Sequence, residues 1–293
     1  MNILQLLADL AAVDPESYQR LSGRRGALTS LGQTGRRAVA AAVPLAFGTM
    51  LTKAYGRRSN TVLDAFSLAL TLEYLESEFY KQALASALVF PGSSKAVFQQ
   101  IYQHEQDHVA LLQETLRLSG AALPDKPKFD FTGSKNGTRA ALFPTVFQDF
   151  STFLKVAQLL EDTGVRAYKG QADSLFTDND LLEAAIRIHA VEARHAAHIR
   201  GLRRAQGANV RPWISKGEEV ITVKDVTDAV YIGEDLDRQQ LPAVDTKIPF
   251  FPNDTTQIVT STADKAKLSL AEAFDEPISS TTASTIASLF IYS

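Results

Sequence analysis

Four glutamates fall where a helical chain would be expected to bury leucines, and they recur in the same order in two halves of the sequence. Glu73 is followed seven residues later by Tyr80, and then come Glu105 and His108; Glu161 is followed seven residues later by Tyr168, and then come Glu192 and His195. Glu73 and Glu105 are 32 residues apart, Glu161 and Glu192 31 apart. Each half therefore reads as a helical hairpin with Glu-x6-Tyr on its first helix and Glu-x-x-His on its second. Residues three, four and seven apart share a helix face, so both members of each Glu-x-x-His pair point the same way. That face also carries Phe98, Ile101, Leu112 and Leu116 on one helix and Leu181, Ala185, Ile188 and Ile199 on the other. The acids lie inside the apolar stripe.

Burying one lone carboxylate costs several kcal/mol even after relaxation, and four together also repel one another. Something cationic has to sit among them, and no lysine or arginine occupies these inward positions. Two divalent ions would offset four carboxylates. The chain has no cysteine, so disulfides, thiolate sites and cysteine nucleophiles are excluded and any metal is held by oxygen and nitrogen. Imidazole with carboxylate and no sulfur suits iron or manganese. One Glu-x-x-His on a helix is common on solvated faces; two at matched spacing on core faces are not.

The hairpins are bounded by ordinary helix signals. Apolar positions at helical spacing run from Thr61 to Ala85, with Val62, Phe66, Ala69, Glu73, Glu76, Tyr80 and Leu84 on one face. Pro91-Gly92-Ser93-Ser94 reads as a turn and cap before a second helix that ends near Leu118, ahead of Gly120. Residues 119–143 read as one long connection. A third helix is predicted from Pro144 to Ala172, and Thr177-Asp178-Asn179-Asp180 caps a fourth ending near Gly207. Two short-looped pairs joined by a long crossover define an all-α, up-down four-helix bundle over 59–208. Residues 1–58 form an N-terminal helical extension or leader. Residues 209–293 form an irregular C-terminal appendage with a β-like run, Val220 to Val223, and helical stretches at Leu268 to Phe274 and Ser279 to Leu289. It is expected to cover the bundle or to make subunit contacts.

In a chain of 293 residues with a net charge of −3, Lys and Arg are spread without the basic stripe that nucleic acid requires, so no nucleic-acid partner is expected. The apolar run Ala38 to Thr52 contains Pro44 and Gly48 and is too short to span a bilayer. Arg36-Arg37, that run and Ala54-Tyr55-Gly56 resemble a twin-arginine export signal. The expected location is cytoplasmic, with export through this leader as the alternative.

The motifs Leu72 to Tyr80, His104-Glu105-Gln106-Asp107-His108, Glu161 to Tyr168 and Glu192-Ala193-Arg194-His195 resemble the ferritin-like superfamily over residues 60–207. Within it they are most similar to bacterial ferritin-like proteins related to plant desiccation-related proteins, and Ala273-Phe274-Asp275-Glu276-Pro277 resembles an ending of that subfamily. The resemblance implies a ferritin-like fold with Glu73 and Glu161 as terminal metal ligands, Glu105 and Glu192 as bridging ligands, and His108 and His195 completing one ion each. Tyr80 and Tyr168 would hydrogen-bond to ligands, and core packing is the alternative for both. Glu76, three residues after Glu73 and matched by Gly164 in the second half, is either a seventh ligand, as in rubrerythrin-like proteins, or a neighbouring hydrogen-bonded acid. Gly164 would make room for Glu76 or for substrate. Glu78 and Asp107 fall on outward faces and are expected to be solvated; His104, His189 and His198 flank the ligand stripe and are set aside as ligands.

The implied cofactor is two iron ions or, alternatively, two manganese ions. With only Met1 and Met50 available, a bis-methionine haem is not expected. Three functions are compatible. The first is a di-iron oxidoreductase that oxidises Fe(II) or reduces O2 or peroxide in stress protection, with electrons from a separate donor protein. The second is manganese catalase-like disproportionation of peroxide. The third is a stress-protective assembly protein whose metals only stabilise the bundle. A homo-oligomer, or pairing with a related ferritin-like protein, is expected.

Overall fold

The computed structural model describes residues 60–176, 179–220, 227–234, 238–241, 246–249, 271–273 and 275–292. The leader expected over 1–58 lies outside these residues, as do Thr177 and Asp178, most of the run Val220 to Val223 and most of the stretch Leu268 to Phe274. The described elements are α1 (Asn60–Ala85), α2 (Ser94–Leu118), β1 (Lys128–Phe129), α3 (Phe150–Gln171), α4 (Asn179–Ala205), β2 (Arg238–Leu241), β3 (Thr246–Pro249), α5 (Ser280–Ser288) and β4 (Ile291–Tyr292). Two single-turn 3-10 helices, Ala172–Leu175 and Asp228–Val230, complete them.

Helices α1 to α4 are the four anticipated, and the bundle is all-α. α1 has 26 residues with no Gly or Pro, and it ends where the Ser86 hydroxyl takes up the Ala83 carbonyl at 2.7 Å. α3 begins later than predicted. The Asp149 carboxylate accepts the Thr152 amide at 2.7 Å, so it is the N-cap, and Pro144 sits in the turns before it. α2 and α4 stop within two residues of Gly120 and Gly207, both at positive φ.

One end of the bundle is an aromatic cluster. Phe79 stacks on Phe153 at 5.2 Å and 6°, and meets Phe131 of the crossover edge-on at 5.1 Å. Phe98 meets Phe153 edge-on at 4.8 Å. Tyr80 packs against Phe79 and Phe98 within this cluster, which fixes its ring below the carboxylates.

Burial is wider than the simple stripes predict. On α3 every residue from Val156 to Tyr168 is buried, including Asp162 and Arg166. The cause is the appendage, which lies along α3 and α4, and its anchors are three arginines that sequence reasoning missed. Arg166, Arg200 and Arg203 are 0%, 1% and 2% exposed. They occupy the outer faces of α3 and α4, away from the glutamates. Arg166 donates to the carbonyls of Val230, Ile232 and Glu276 and pairs with Glu234 at 2.8 Å. Arg200 pairs with Asp162 at 2.6 Å and with Glu218 at 2.7 Å. Arg203 bonds Gln158 at 2.6 Å and the Glu219 carbonyl at 2.8 Å. Buried charges persist when paired in this way, and removing one partner typically costs about 3–5 kcal/mol.

The chain then returns along α3. The Ile278 amide donates to the Arg166 carbonyl at 3.2 Å. α5 is capped by the Ser279 hydroxyl, which accepts the Thr282 amide at 3.1 Å, and β4 pairs antiparallel with β1 of the crossover. β2 and β3 form a separate antiparallel pair. Among the described residues no helix is long and apolar enough to cross a membrane.

Gly170 permits this return, since a Cβ there would stand 2.0 Å from the Ile278 carbonyl oxygen. Gly170→Ala is expected to lower stability by about 1–3 kcal/mol, the usual cost of overpacking, and to speed proteolysis after residue 270. Urea unfolding and limited proteolysis read both; an unchanged midpoint and cleavage pattern would show that the appendage does not rest on this contact.

Candidate metal centre

Midway along the bundle, one face of each long helix contributes a carboxylate: Glu73 from α1, Glu105 from α2, Glu161 from α3 and Glu192 from α4, each 0% exposed. His108 and His195 complete the set at 8% and 4%. The six fall into two overlapping groups, Glu73, Glu105, His108 and Glu192 in one and Glu105, Glu161, Glu192 and His195 in the other. Glu105 and Glu192 belong to both. Within each group one ligand atom per residue lies within 4.8 Å of all the others.

The contacts have a twofold pattern. His108 Nδ1 lies 3.2 Å from Glu73 Oε2, 3.1 Å from Glu105 Oε2 and 3.1 Å from Glu192 Oε1. His195 Nδ1 lies 2.8 Å from Glu105 Oε1, 3.3 Å from Glu161 Oε2 and 3.9 Å from Glu192 Oε2. The two oxygens of Glu105 thus face different histidines, and so do those of Glu192. The tyrosines cross between hairpins: the Tyr168 hydroxyl donates to Glu73 Oε1 at 2.6 Å, and the Tyr80 hydroxyl donates to Glu161 Oε1. Both therefore bond a carboxylate of the other half while packing in the core.

The electrostatics show what these groups lack. Burial, with the charges of Glu105, Glu73 and Glu161, pushes the Glu192 carboxyl well above the usual range. Glu105 is pushed up to about 7 by burial and by Glu161 and Glu73, against the pull of His108 and His195. His195, which burial alone would depress, is raised to about 11 by Glu161, Glu105 and Glu192. His108 is raised in the same way, chiefly by Glu73. Burial opposes ionisation of Glu73, but the His108 charge together with hydrogen bonds from His108 and Tyr168 outweighs it, and the carboxyl stays below the usual range. Without a cation the cluster is held together by protons.

Protons do not satisfy it. Glu105 Oε1, Glu161 Oε2, both oxygens of Glu192, Glu76 Oε2 and His195 Nδ1 are buried without a hydrogen-bond partner. His195 Nδ1 and Glu105 Oε1 approach to 2.8 Å but off the line that an N–H···O bond needs. Native interiors rarely tolerate such orphans. Three carboxylate oxygens at 3.1–3.2 Å from one nitrogen exceed what one N–H can serve. Adjacent ligands of an octahedral ion bound at about 2.1 Å stand about 3 Å apart. The oxygen and nitrogen donors converge as ligands do, so the residues fit metal coordination.

Glu76, 2% exposed, belongs to neither group. Its carboxyl is pushed well above the usual range by burial and by Glu192 and Glu73. A Cβ on Gly164 would lie 3.0 Å from Glu76 Oε1 and 3.4 Å from Glu192 Oε2, so the glycine makes room for this acid. Asp107 is exposed, as expected. Glu78 is not freely solvated: Lys126 of the crossover holds it at 2.6 Å and shields it. His189 bonds the Val165 carbonyl at 2.9 Å and His198 is exposed, but His104 Nδ1 lies 2.9 Å from His195 Nε2.

A four-helix bundle with carboxylates from every helix and a histidine from two defines a carboxylate metal protein. A family model described as a ferritin-like domain matches residues 61–205, the segment that holds all four helices and all six converging side chains. Residues 61–205 are thereby a ferritin-like domain. No curated protein matches it.

A carboxyl whose pKa rises on folding favours the fold fully below its unfolded value, and this contribution is lost as pH rises through the folded value. For Glu105 the window runs from 4.5 to about 7. Metal-free protein is therefore expected to lose melting temperature relative to Glu105→Gln across that window, and an excess of Mn2+ should abolish the loss. Thermal melts read both; a gap between the two proteins that is independent of pH contradicts the assignment.

Proposed function

We propose that the centre binds two iron ions through Glu73, Glu105, His108, Glu161, Glu192 and His195 and acts as an oxidoreductase, oxidising Fe(II) with O2 or peroxide in stress protection. The observation that carries this reading is the sharing of Glu105 and Glu192 between both histidine groups, which suits two adjacent ions rather than one. A pair of iron ions would supply the two electrons that O2 or peroxide takes up.

The residues around it suit that work. Carboxylates offset the charge of the ions and can change between one and two contacts as that charge changes. Tyr80 and Tyr168, each donating to a terminal carboxylate, orient Glu161 and Glu73. Glu76 stands beside Glu192 in the space that Gly164 leaves, and in the metal-free site burial and the charges of Glu192 and Glu73 raise its carboxyl well above the usual range. An apolar slot of about 20 Å³, walled by Phe66, Leu72, Leu112 and Ile188, reaches the Tyr168 ring and has room for one small neutral molecule such as O2. The chain has no cysteine, so it carries no cysteine-ligated iron–sulfur centre, and the electron donor we propose is a separate protein.

The test is anaerobic loading with Fe(II) followed by O2 or peroxide, with absorbance and oxidant consumption recorded for wild type, Glu105→Ala and Glu192→Ala. Wild type is expected to take up two Fe(II) per chain and oxidise them, and each variant to lose at least about 100-fold in oxidation rate, the upper range for disturbed metal sites. Peroxide disproportionation by the manganese-loaded protein without reductant, and none of the iron reaction, would favour the catalase reading. Variants that unfold while wild type oxidises nothing would favour the stabilising role.

A further inference from the structure

The two hairpins agree at every converging ligand, and two of the differences beside those ligands bear on the centre. Glu76 is matched by Gly164, and His104, which precedes Glu105, is matched by Val191, which precedes Glu192. The first difference is one of packing, since the glycine leaves space for the acid. The second changes the bonding of a ligand.

His104 Nδ1 lies 2.9 Å from His195 Nε2. The ring centroids are 5.2 Å apart with planes 10° from parallel, so the two nitrogens lie close to the line between the rings. That is the edge-to-edge geometry of a hydrogen bond between imidazoles rather than a face-to-face stack. His195 turns its other nitrogen, Nδ1, toward Glu105 and Glu161. An imidazole that offers Nδ1 to a cation keeps its proton on Nε2, and that proton needs an acceptor. His104 Nδ1 is the group placed to accept it.

His108 has no such support. Its Nδ1 faces Glu73, Glu105 and Glu192, and no hydrogen bond reaches its other ring nitrogen from the described residues. The residue at the step matching His104 is Val191, which cannot accept a proton. Beyond His104, a groove of about 140 Å³ lined by Gln100, Arg194 and His198 opens to the surface, so the outer edge of His104 is not built into the core.

We propose that His104 is a positioning residue which accepts the Nε2–H of His195, holds that ring with Nδ1 toward the carboxylates, and makes the two metal positions unequal, the one bounded by Glu161 and His195 being the tighter. This inference rests on the reading of the cluster as a two-metal centre.

Cobalt(II) titration of metal-free wild type, His104→Ala and His104→Gln, followed by calorimetry and by cobalt absorption, tests it. Wild type is expected to bind in two steps. His104→Ala should weaken the tighter step by about 10–100-fold and leave the other unchanged, whereas Gln, whose side-chain oxygen accepts a hydrogen bond, should restore most of the loss. In zinc-loaded protein with 15N-labelled histidine, the protected Nε2–H resonance of His195 should vanish in His104→Ala and persist in His104→Gln. Unchanged steps in His104→Ala, or equal weakening of both, would overturn the proposal while leaving the metal centre standing. Failure of wild type to bind cobalt would remove the centre and this inference with it.

Discussion

The structure depends on the mutual repulsion of carboxylates that the four helices force together. Glu73, Glu105, Glu161 and Glu192 are fully buried, and Glu76 stands beside them at 2% exposure. Two imidazoles can offset only part of that charge, and several oxygens remain without a donor. An interior of this kind requires that the rest of the molecule hold the helices at fixed separation and that protons or cations offset the charge in the middle. The first requirement explains much of the surrounding architecture; the second defines the site.

The helices are held at one end and from outside. The aromatic cluster of Phe79, Phe98, Phe131 and Phe153 locks one end and seats Tyr80 under Glu161. On the outer faces of α3 and α4, three buried arginines clasp the appendage through carbonyls and through Glu218, Glu219 and Glu234. These charges are satisfied locally, so they do not compete for the carboxylates of the centre. The molecule separates its buried ionic groups into two sets: one neutralised by its own chain, the other arranged around points where cations fit.

The site was readable in the sequence because its signal is periodic. Glu-x-x-His and Glu-x6-Tyr follow from helix geometry, and their duplication predicted which residues converge. Gly164 opposite Glu76 was readable for the same reason. What could not be read depends on contacts distant in sequence. Arg166 and Arg200 look like ordinary surface residues of amphipathic helices, because the partners that bury them lie 11 to 110 residues further along the chain. A hint existed in Asp162 and Arg166, an oppositely charged pair four apart on α3, but such pairs usually lie on solvated faces. The sequence suggests too early a start for α3 because Pro144 is acceptable in a first helical turn, whereas the decisive cap is the bond from the Thr152 amide to Asp149. Ligand counting gives His104 no place. Its role follows from the approach of α2 to α4, which spacing within either helix does not report.

The central claim is that two cations sit between the shared carboxylates, and anomalous diffraction from crystals loaded with Mn2+ or Fe2+ tests it most directly. The account predicts two peaks inside each bundle, one against Glu73 and His108, the other against Glu161 and His195, with Glu105 and Glu192 between them. A single peak, or none within the bundle while metal binds elsewhere on the surface, would contradict it.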